Sequence, residues 1–323
     1  MNLWCNVTRG KKIESRHIVF AVVIDEEGKI IFSTGNPEQT TYIRSSLKPF
    51  QASAIIFSGA TETAGFTSEE IALMCASHNG EPIHVNIVKG MAKKLKLDES
   101  DYKCGSHAPY DAEARNNASG FTPFHNNCSG KHSGMLALAK QLGEDTSNYI
   151  SYNHPVQKAI FKQLMRLTGK NKFSYGIDGC SVPTPFLSLL EIAKLFQMLG
   201  LGKFMELTTA FEAMSAHPYL VAGQNRFDTD FNATMKGRGV TKIGGEAIRG
   251  MVIKTDKYGV VGIAQKIIDG NQRANETAIM KILNHIDLLF PNKKTQLQKY
   301  EKKKLFNHQK MHIGNIEGVL SSQ

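Results

Sequence analysis

Residues 18–33 read Ile18-Val19-Phe20-Ala21-Val22-Val23-Ile24-Asp25-Glu26-Glu27-Gly28-Lys29-Ile30-Ile31-Phe32-Ser33. β-Branched and aromatic residues fill Ile18–Ile24 and Lys29–Ser33, and an acidic turn ending in glycine parts them. That is the pattern of two strands. A second such hairpin is expected far along the chain, at Met251–Lys254 and Gly259–Lys266. Between the hairpins the apolar period lengthens. Thr67-Ser68-Glu69-Glu70 is a capping box ahead of Ile71, Leu73 and Met74. Met135, Leu136, Leu138, Ala139 and Leu142 fall at helical spacing within Lys131–Leu142. Pro155 stands where helices accept proline, before Val156, Ile160, Phe161 and Leu164. Thr184-Pro185 is expected to open a helix ending near Gly200, and Phe204, Leu207, Phe211 and Met214 mark another. Asn271 is placed to cap a last helix running toward Leu289. A parallel α/β sheet would alternate strand and helix throughout, and this order does not. The expectation is an α+β fold: a mainly antiparallel sheet built from both chain ends around a helical middle. No repeat or long linker divides it, so residues 1–323 read as a single domain.

Composition narrows the function. The chain of 323 residues is 41% apolar and 21% charged, ordinary globular usage. Its longest purely apolar run, Ile18–Ile24, is too short to cross a bilayer. No apolar stretch and cleavage site follow Lys11 and Lys12 as in a signal peptide. No membrane partner and a cytoplasmic location are expected. Cys5, Cys75, Cys104, Cys128 and Cys180 form no C-x-x-C pair, which fits a reducing compartment. The net charge is +10, and Lys293–Lys310 alone holds seven lysines against the single acid Glu301. The excess is therefore local. Residues 292–310 read as a solvated lysine-rich surface segment, and nucleic acid is not an expected partner.

Several chemistries lack their motifs. No G-x-G-x-x-G follows a strand. Gly130-Lys131-His132-Ser133 has neither the upstream glycine nor the hydroxyl next to lysine that a P-loop needs. There is no H-E-x-x-H and no paired C-x-x-C. Nucleotide, dinucleotide and structural-zinc readings lose weight accordingly.

Other motifs remain. Ser45-Ser46-Leu47-Lys48 is an S-x-x-K. On one helix face the Lys48 amine reaches the Ser45 hydroxyl and serves as its base. Alone, S-x-x-K occurs by chance in many proteins. Ser77-His78-Asn79-Gly80-Glu81 contains the S-x-N that often accompanies it, and reads equally well as a helix stop. His125–Gly134 packs polar and small residues ahead of an apolar helix, whose first N–H groups suit a carboxylate or oxyanion. Cys128 and Lys131 would share a face there. Asp178-Gly179-Cys180-Ser181-Val182-Pro183-Thr184-Pro185 is a tight polar turn. Its Asp178 suits a substrate ammonium group, while Cys180 equally suits a buried apolar site. Lys242-Ile243-Gly244-Gly245-Glu246 supplies K-x-G, with Ile243 where Thr or Ser is usual. The order S-x-x-K, S-x-N, K-x-G points to serine acyl transfer on a β-lactamase or penicillin-binding-like fold.

Longer blocks carry a more specific resemblance. Glu14–His17, Arg44–Lys48, Cys75–Glu81, His125–His132, Asp178–Thr184, His217–Gly223, Lys242–Glu246 and Lys266–Gly270 together resemble the Rhizobium-type L-asparaginases, the asparaginase II family, over nearly the whole chain. The resemblance implies a single catalytic domain with a serine β-lactamase-like α+β fold and a homodimer. It also implies hydrolysis of L-asparagine, a small-molecule substrate, to L-aspartate and ammonia. A glutaminase or a penicillin-recognising enzyme on the same fold is the alternative. Carried over by position, Ser45 pairs with Lys48 as nucleophile and base, and Ser77 pairs with Lys266. Arg44, Asn79, Lys131, His132, Asp178 and Gly244 line the substrate site. Zinc in the family is implied to lie on the cysteine and lysine of Cys-x-x-Lys and on a later cysteine after K-x-G. Here Cys128 and Lys131 are present, but Arg249 or Gly250 stands near the expected later place. No cofactor is therefore expected to be required, and Cys180 is the one substitute for the third zinc ligand.

Overall fold

A computed structural model describes residues 1–289 and 295–321. The chain forms two compact units: Met1–Ser46 with Leu187–Gly200 and Arg238–Gln323, and Leu47–Phe186 with Leu201–Gly237. Its strands are β1 (Asn2–Arg9), β2 (Lys12–Ile24), β3 (Ile30–Thr34), β4 (Thr40–Tyr42), β5 (Tyr175–Ile177), β6 (Pro183–Ser188), β7 (Gly239–Gly244), β8 (Ile248–Thr255), β9 (Gly259–Ile267), β10 (Lys302–Phe306) and β11 (His312–Ser321).

The first unit is organised by an antiparallel sheet in the order β10-β11-β1-β2-β9-β8-β7, with β3 paired to β2. Both expected hairpins are present, as β2–β3 and β8–β9. The two ends of the chain meet in it, with Leu3 opposite Leu320 and Val7 opposite Ile316. The α+β expectation therefore holds. Strand β2 is long because it serves three partners, β1 along its first half and β3 and β9 along its second. Val19 and Ala21–Ile24 are buried on successive positions, so this part of the sheet is covered on both faces. Alternation along the strands separates the covers. Gly250 and Gly262 face the helix Leu189–Gly200. A Cβ at Gly250 would run into the Phe196 ring, and one at Gly262 into the Ala193 carbonyl. Their neighbours Arg249 and Gln265 point the other way, to the helix Asn275–His285. There Arg249 Nε donates to Asn275 Oδ1 at 2.7 Å and Gln265 Nε2 to the Asn275 carbonyl at 2.9 Å.

One expected helix start is corrected. Thr184-Pro185 lies in strand β6, paired with β5 from Tyr175↔Pro185 to Ile177↔Pro183, and the helix begins at Leu189. Each residue before a proline is pushed to extended backbone, which holds Val182 and Thr184 out of a helix. The real start signal is Ser188-Leu189-Leu190-Glu191. Ser188 Oγ accepts the Glu191 N–H at 3.2 Å, and Glu191 Oε2 accepts the Ser188 N–H at 2.8 Å. At the other end, Asn271 caps the short turn Gln272–Ala274 rather than the helix that follows it. Of the lysine-rich segment, Lys293 and Lys294 lie outside the described residues. Lys302, Lys303 and Lys304 form the exposed edge strand β10, with Lys302 paired to Glu317 at 2.8 Å.

The second unit is helical. Its central helix, Ser129–Leu142, is buried from Ser129 to Ala139, so it shows little amphipathic contrast. Helices Lys48–Phe57, Ser68–Met74, Pro82–Lys94 and Pro155–Thr168 pack around it. The small residues of its sequence make this possible. A Cβ at Gly130 would meet the Leu73 carbonyl, and one at Gly134 would come within 2.8 Å of Ile55 Cδ1. The Thr67 capping box is formed as expected. Among the described residues no helix is long and apolar enough to cross a membrane.

Candidate active site

In the helical unit the centre of the site is Lys48. It is the first residue of the helix Lys48–Phe57, with Pro49 in the first turn. The side chain is fully buried. Its Nζ donates to the carbonyls of Ala76 at 2.5 Å and Asn127 at 3.1 Å, and lies 3.0 Å from Ser77 Oγ. Three acceptors, two carbonyls and the Ser77 hydroxyl, surround the Lys48 nitrogen. The hydrogen bond thus joins the lysine of S-x-x-K to the serine of S-x-N.

Ser77 stands on the loop after the helix Ser68–Met74, and its N–H is held by the Val221 carbonyl at 2.9 Å. The neighbouring His78 fixes the loop. Its Nδ1 accepts the Gly80 N–H at 3.1 Å, so its proton is on Nε2, 2.9 Å from Ser129 Oγ. Burial, with the nearby His84 and Lys48, holds the imidazole pKa well below its ordinary value. It is a neutral tie to the first residue of the central helix. Asn79 is fixed too. Its Nδ2 donates to Glu81 Oε1 at 2.9 Å and to the Gln224 carbonyl at 3.1 Å, while Oδ1 accepts from Arg226 at 2.7 Å.

A second cluster lies at the start of the central helix. Cys128 is its N-cap residue, Lys131 follows one turn on, and Cys180 comes from the turn before β6. Lys131 Nζ is 2.9 Å from Cys180 Sγ. The hydrogen bond from the Cys180 thiol, then the positive charges of Lys48 and Lys131, bring the Cys128 pKa well below its ordinary value. The same bond and burial push Cys180 up. Burial disfavours the Lys131 cation, but the charges of Cys180, Cys128 and Asp178 outweigh that and raise its pKa. The shared face expected of Cys128 and Lys131 is present.

The family model for L-asparaginase II matches residues 5–318. This chain belongs to the L-asparaginase II family. No curated protein sequence matches it. Among solved structures, a class A β-lactamase from Mycobacterium abscessus is similar at 12% identity and TM-score 0.46, covering 84% of this chain and 94% of that one. A variant of the class A β-lactamase of the last common ancestor of Gram-negative bacteria is similar at 12% identity and TM-score 0.39, covering 77% and 82%. Membership of the L-asparaginase II family makes the protein a hydrolase acting on amides.

For this L-asparaginase II family chain the fit of a metal can be tested on the residues. Among the described residues no group of three or more His, Cys, Asp and Glu side chains could hold one. Cys128 and Cys180 supply two sulfurs, and the amine of Lys131 makes the third donor. As two thiolates and a neutral amine they would suit zinc in a tetrahedral site with an open fourth position, and binding would release the Cys180 and Lys131 protons. The set fits. Arg249, near the expected place of the later cysteine, is instead buried in the sheet unit against Asn275 and Thr241.

The remaining predicted residues divide between the units. Beside Lys131, His132 is fully buried. Tyr149 Oη accepts the Lys103 N–H at 2.9 Å, so its own proton goes to His132 Nδ1 at 2.6 Å. Asp178 closes the tight turn, its N–H on the Val182 carbonyl at 2.9 Å. Ser45, Arg44, Gly244 and Lys266 belong to the sheet unit. Ser45 is half-buried in the turn Arg44–Leu47. Arg44 enters it in the left-handed region at φ 50°, an uncommon conformation for a residue with a Cβ. Its guanidinium lies over Gly245, 3.5 Å from where a Cβ would be. A Cβ at Gly244 would come within 2.9 Å of the Ile43 carbonyl, so the chain passes too close there for a side chain. Lys266, half-buried at the end of β9, donates to the Glu246 carbonyl at 2.7 Å and to that of Ile267.

No motif marks the Ala76 and Asn127 carbonyls or Tyr149 in the sequence. Backbone acceptors leave no residue signature, and Tyr149 stands in no motif. A cleft of about 500 Å³ also opens beside the Ser77 loop, lined by Gly80, Glu81, Lys89, Asp111, His125 and Tyr219 among others. None of the predicted residues lines it.

Proposed function

We propose that this protein hydrolyses L-asparagine to L-aspartate and ammonia by serine acyl transfer. The observation that carries this reading is the Lys48 amine, oriented by two carbonyls and 3.0 Å from Ser77 Oγ, in a chain of the L-asparaginase II family. Ser45 is the nucleophile and Lys48 its base, with Ser77 passing the proton. The Ser45 oxygen bonds to the carboxamide carbon as its proton moves to Lys48. The C–N bond then breaks, and that proton leaves on ammonia. Water attacks the resulting aspartyl ester, Lys48 takes the water proton, and Ser45 recovers it. Cys128, Lys131 and Cys180 are the residues that would hold a zinc ion, which when bound supplies a Lewis acid.

A second reading makes Ser77 the nucleophile. The same hydrogen bond supports it, since Ser77 Oγ is the hydroxyl that meets the Lys48 amine.

Ammonia release from L-asparagine and L-glutamine, measured for the wild type, Ser45→Ala and Ser77→Ala, tests both readings. Release from asparagine that Ser45→Ala abolishes supports the first. An acyl adduct trapped on Ser77 by acid quench and mass spectrometry supports the second. Release from glutamine alone moves the substrate assignment, and no release from either amide removes it.

A further inference from the structure

His17, Asp269 and Arg273 come from strand β2, from the turn after β9 and from the short turn Gln272–Ala274. His17 Nδ1 is 2.6 Å from Asp269 Oδ2, and Arg273 Nε donates to His17 Nε2 at 2.8 Å. A guanidinium has only donors, so Nε2 is the acceptor and the imidazole proton sits on Nδ1, donated to Asp269. The His17 ring is buried. Arg273 Nη2 also reaches Ser15 Oγ at 3.3 Å, and Asp269 Oδ1 accepts the Asn271 N–H at 3.0 Å. Every bond therefore has one direction, from Arg273 through His17 to the carboxylate.

That carboxylate lies in the turn closed by the Gly270 N–H on the Ile267 carbonyl at 3.0 Å. The same carbonyl accepts from Lys266 Nζ. The lysine is thus tied to the turn that carries Asp269. On its other side it is tied to Glu246, whose carbonyl accepts at 2.7 Å and whose side chain rests against Gly270. The charged groups facing Lys266 are Asp269 at the end of its own strand and Glu246 before β8. Burial pulls its pKa down, and these acids oppose the shift.

We propose that Arg273, His17 and Asp269 are positioning residues for Lys266, holding a carboxylate at the turn to which the lysine amine is bonded. The inference rests on the pairing of Lys266 with Ser77 that the family resemblance implies, which makes Lys266 part of the proposed acyl-transfer site. A fixed carboxylate favours the ammonium form. The array therefore holds in place one of the two acids that face Lys266.

The test follows the Lys266 side chain itself. With lysine labelled with ¹³C at Cε, its NMR signal is assigned by loss in Lys266→Arg and titrated with pH. Asp269→Asn is expected to lower the midpoint by about half a pH unit or more. His17→Ala should lower it less. His17→Asn, whose amide N–H can replace Nδ1–H, should restore most of the wild-type value. The basic limb of ammonia release should move in the same order. An unchanged Lys266 midpoint in folded Asp269→Asn overturns the proposal. So does a His17→Asn protein no closer to wild type than His17→Ala. If Lys266→Met keeps full ammonia release while the titration moves as expected, the array stands and the catalytic assignment of Lys266 falls.

Discussion

Lys48 donates to the carbonyls of Ala76 and Asn127, and Lys266 to those of Glu246 and Ile267. The two amines are held by the same kind of backbone clamp, one in the helical unit and one in the sheet unit. Their surroundings differ. Lys48 is fully buried and its third direction meets a hydroxyl, Ser77 Oγ. Lys266 is half-buried and lies in the field of Glu246 and Asp269. A clamp of carbonyls orients each amine, and the two differ in what stands in the remaining direction: a hydroxyl at Lys48, two acids near Lys266.

The largest expected effect separates the two. Lys48→Met should lower kcat for ammonia release by about 10³-fold, as loss of a general base does, and Lys266→Met by less. Equal losses would remove the distinction. The same Lys48 variant leaves the Ala76 and Asn127 carbonyls without their donor, so urea unfolding should show a loss of roughly 1–3 kcal/mol.

Next is the thiol cluster of the helical unit. Elemental analysis should find about one zinc per chain in the wild type and little in Cys128→Ser or Cys180→Ser. Arg249→Lys, in the sheet unit, should leave zinc content unchanged. The reverse pattern would return the third ligand to the region after K-x-G.

Smaller still is Thr67→Ala, which removes the cap from the helix leading to Ser77. It should cost about 1 kcal/mol of stability, with the Lys266 signal unmoved.

The smallest effect concerns pH. The burial of Asp269 raises its pKa, but the Asn271 N–H, His17 and Lys266 outweigh this and hold it below the usual carboxylate range. A depressed carboxylate contributes stability that is present above its unfolded pKa, about 3.9, and is lost as pH falls through the folded value. Between about pH 4 and pH 2 the wild type should therefore lose slightly more unfolding free energy than Asp269→Asn. Parallel curves would show that the array adds nothing to folding.

The sheet was legible where residues alternate or run apolar, as in Ile18–Ile24 and Gly259–Lys266. Strand β1 was not, because Asn2, Asn6 and Thr8 interrupt its pattern and its pairing with β11 spans the whole chain. The helix from Leu189 was misplaced by four residues because prolines were read as helix openers, while the Ser188–Glu191 box carried the signal. In the site, residue types and blocks were readable, and Cys128, Lys131 and Cys180 do converge. The partner of Lys48 was not readable. S-x-x-K spacing suggests contact along one helix, but Lys48 begins its helix, and its hydrogen bond to Ser77 depends on tertiary packing.

Among the described residues strand β10 ends the sheet, with no further strand on its outer edge, and it carries Lys302, Lys303 and Lys304 in succession. Successive residues point to opposite faces, so both faces of this rim are cationic. A second molecule adding its own β10 there would bring like charges into register, which guards an open sheet against runaway polymerisation. A dimer built on this edge would need an acidic strand opposite, and salt should weaken the guard by screening it.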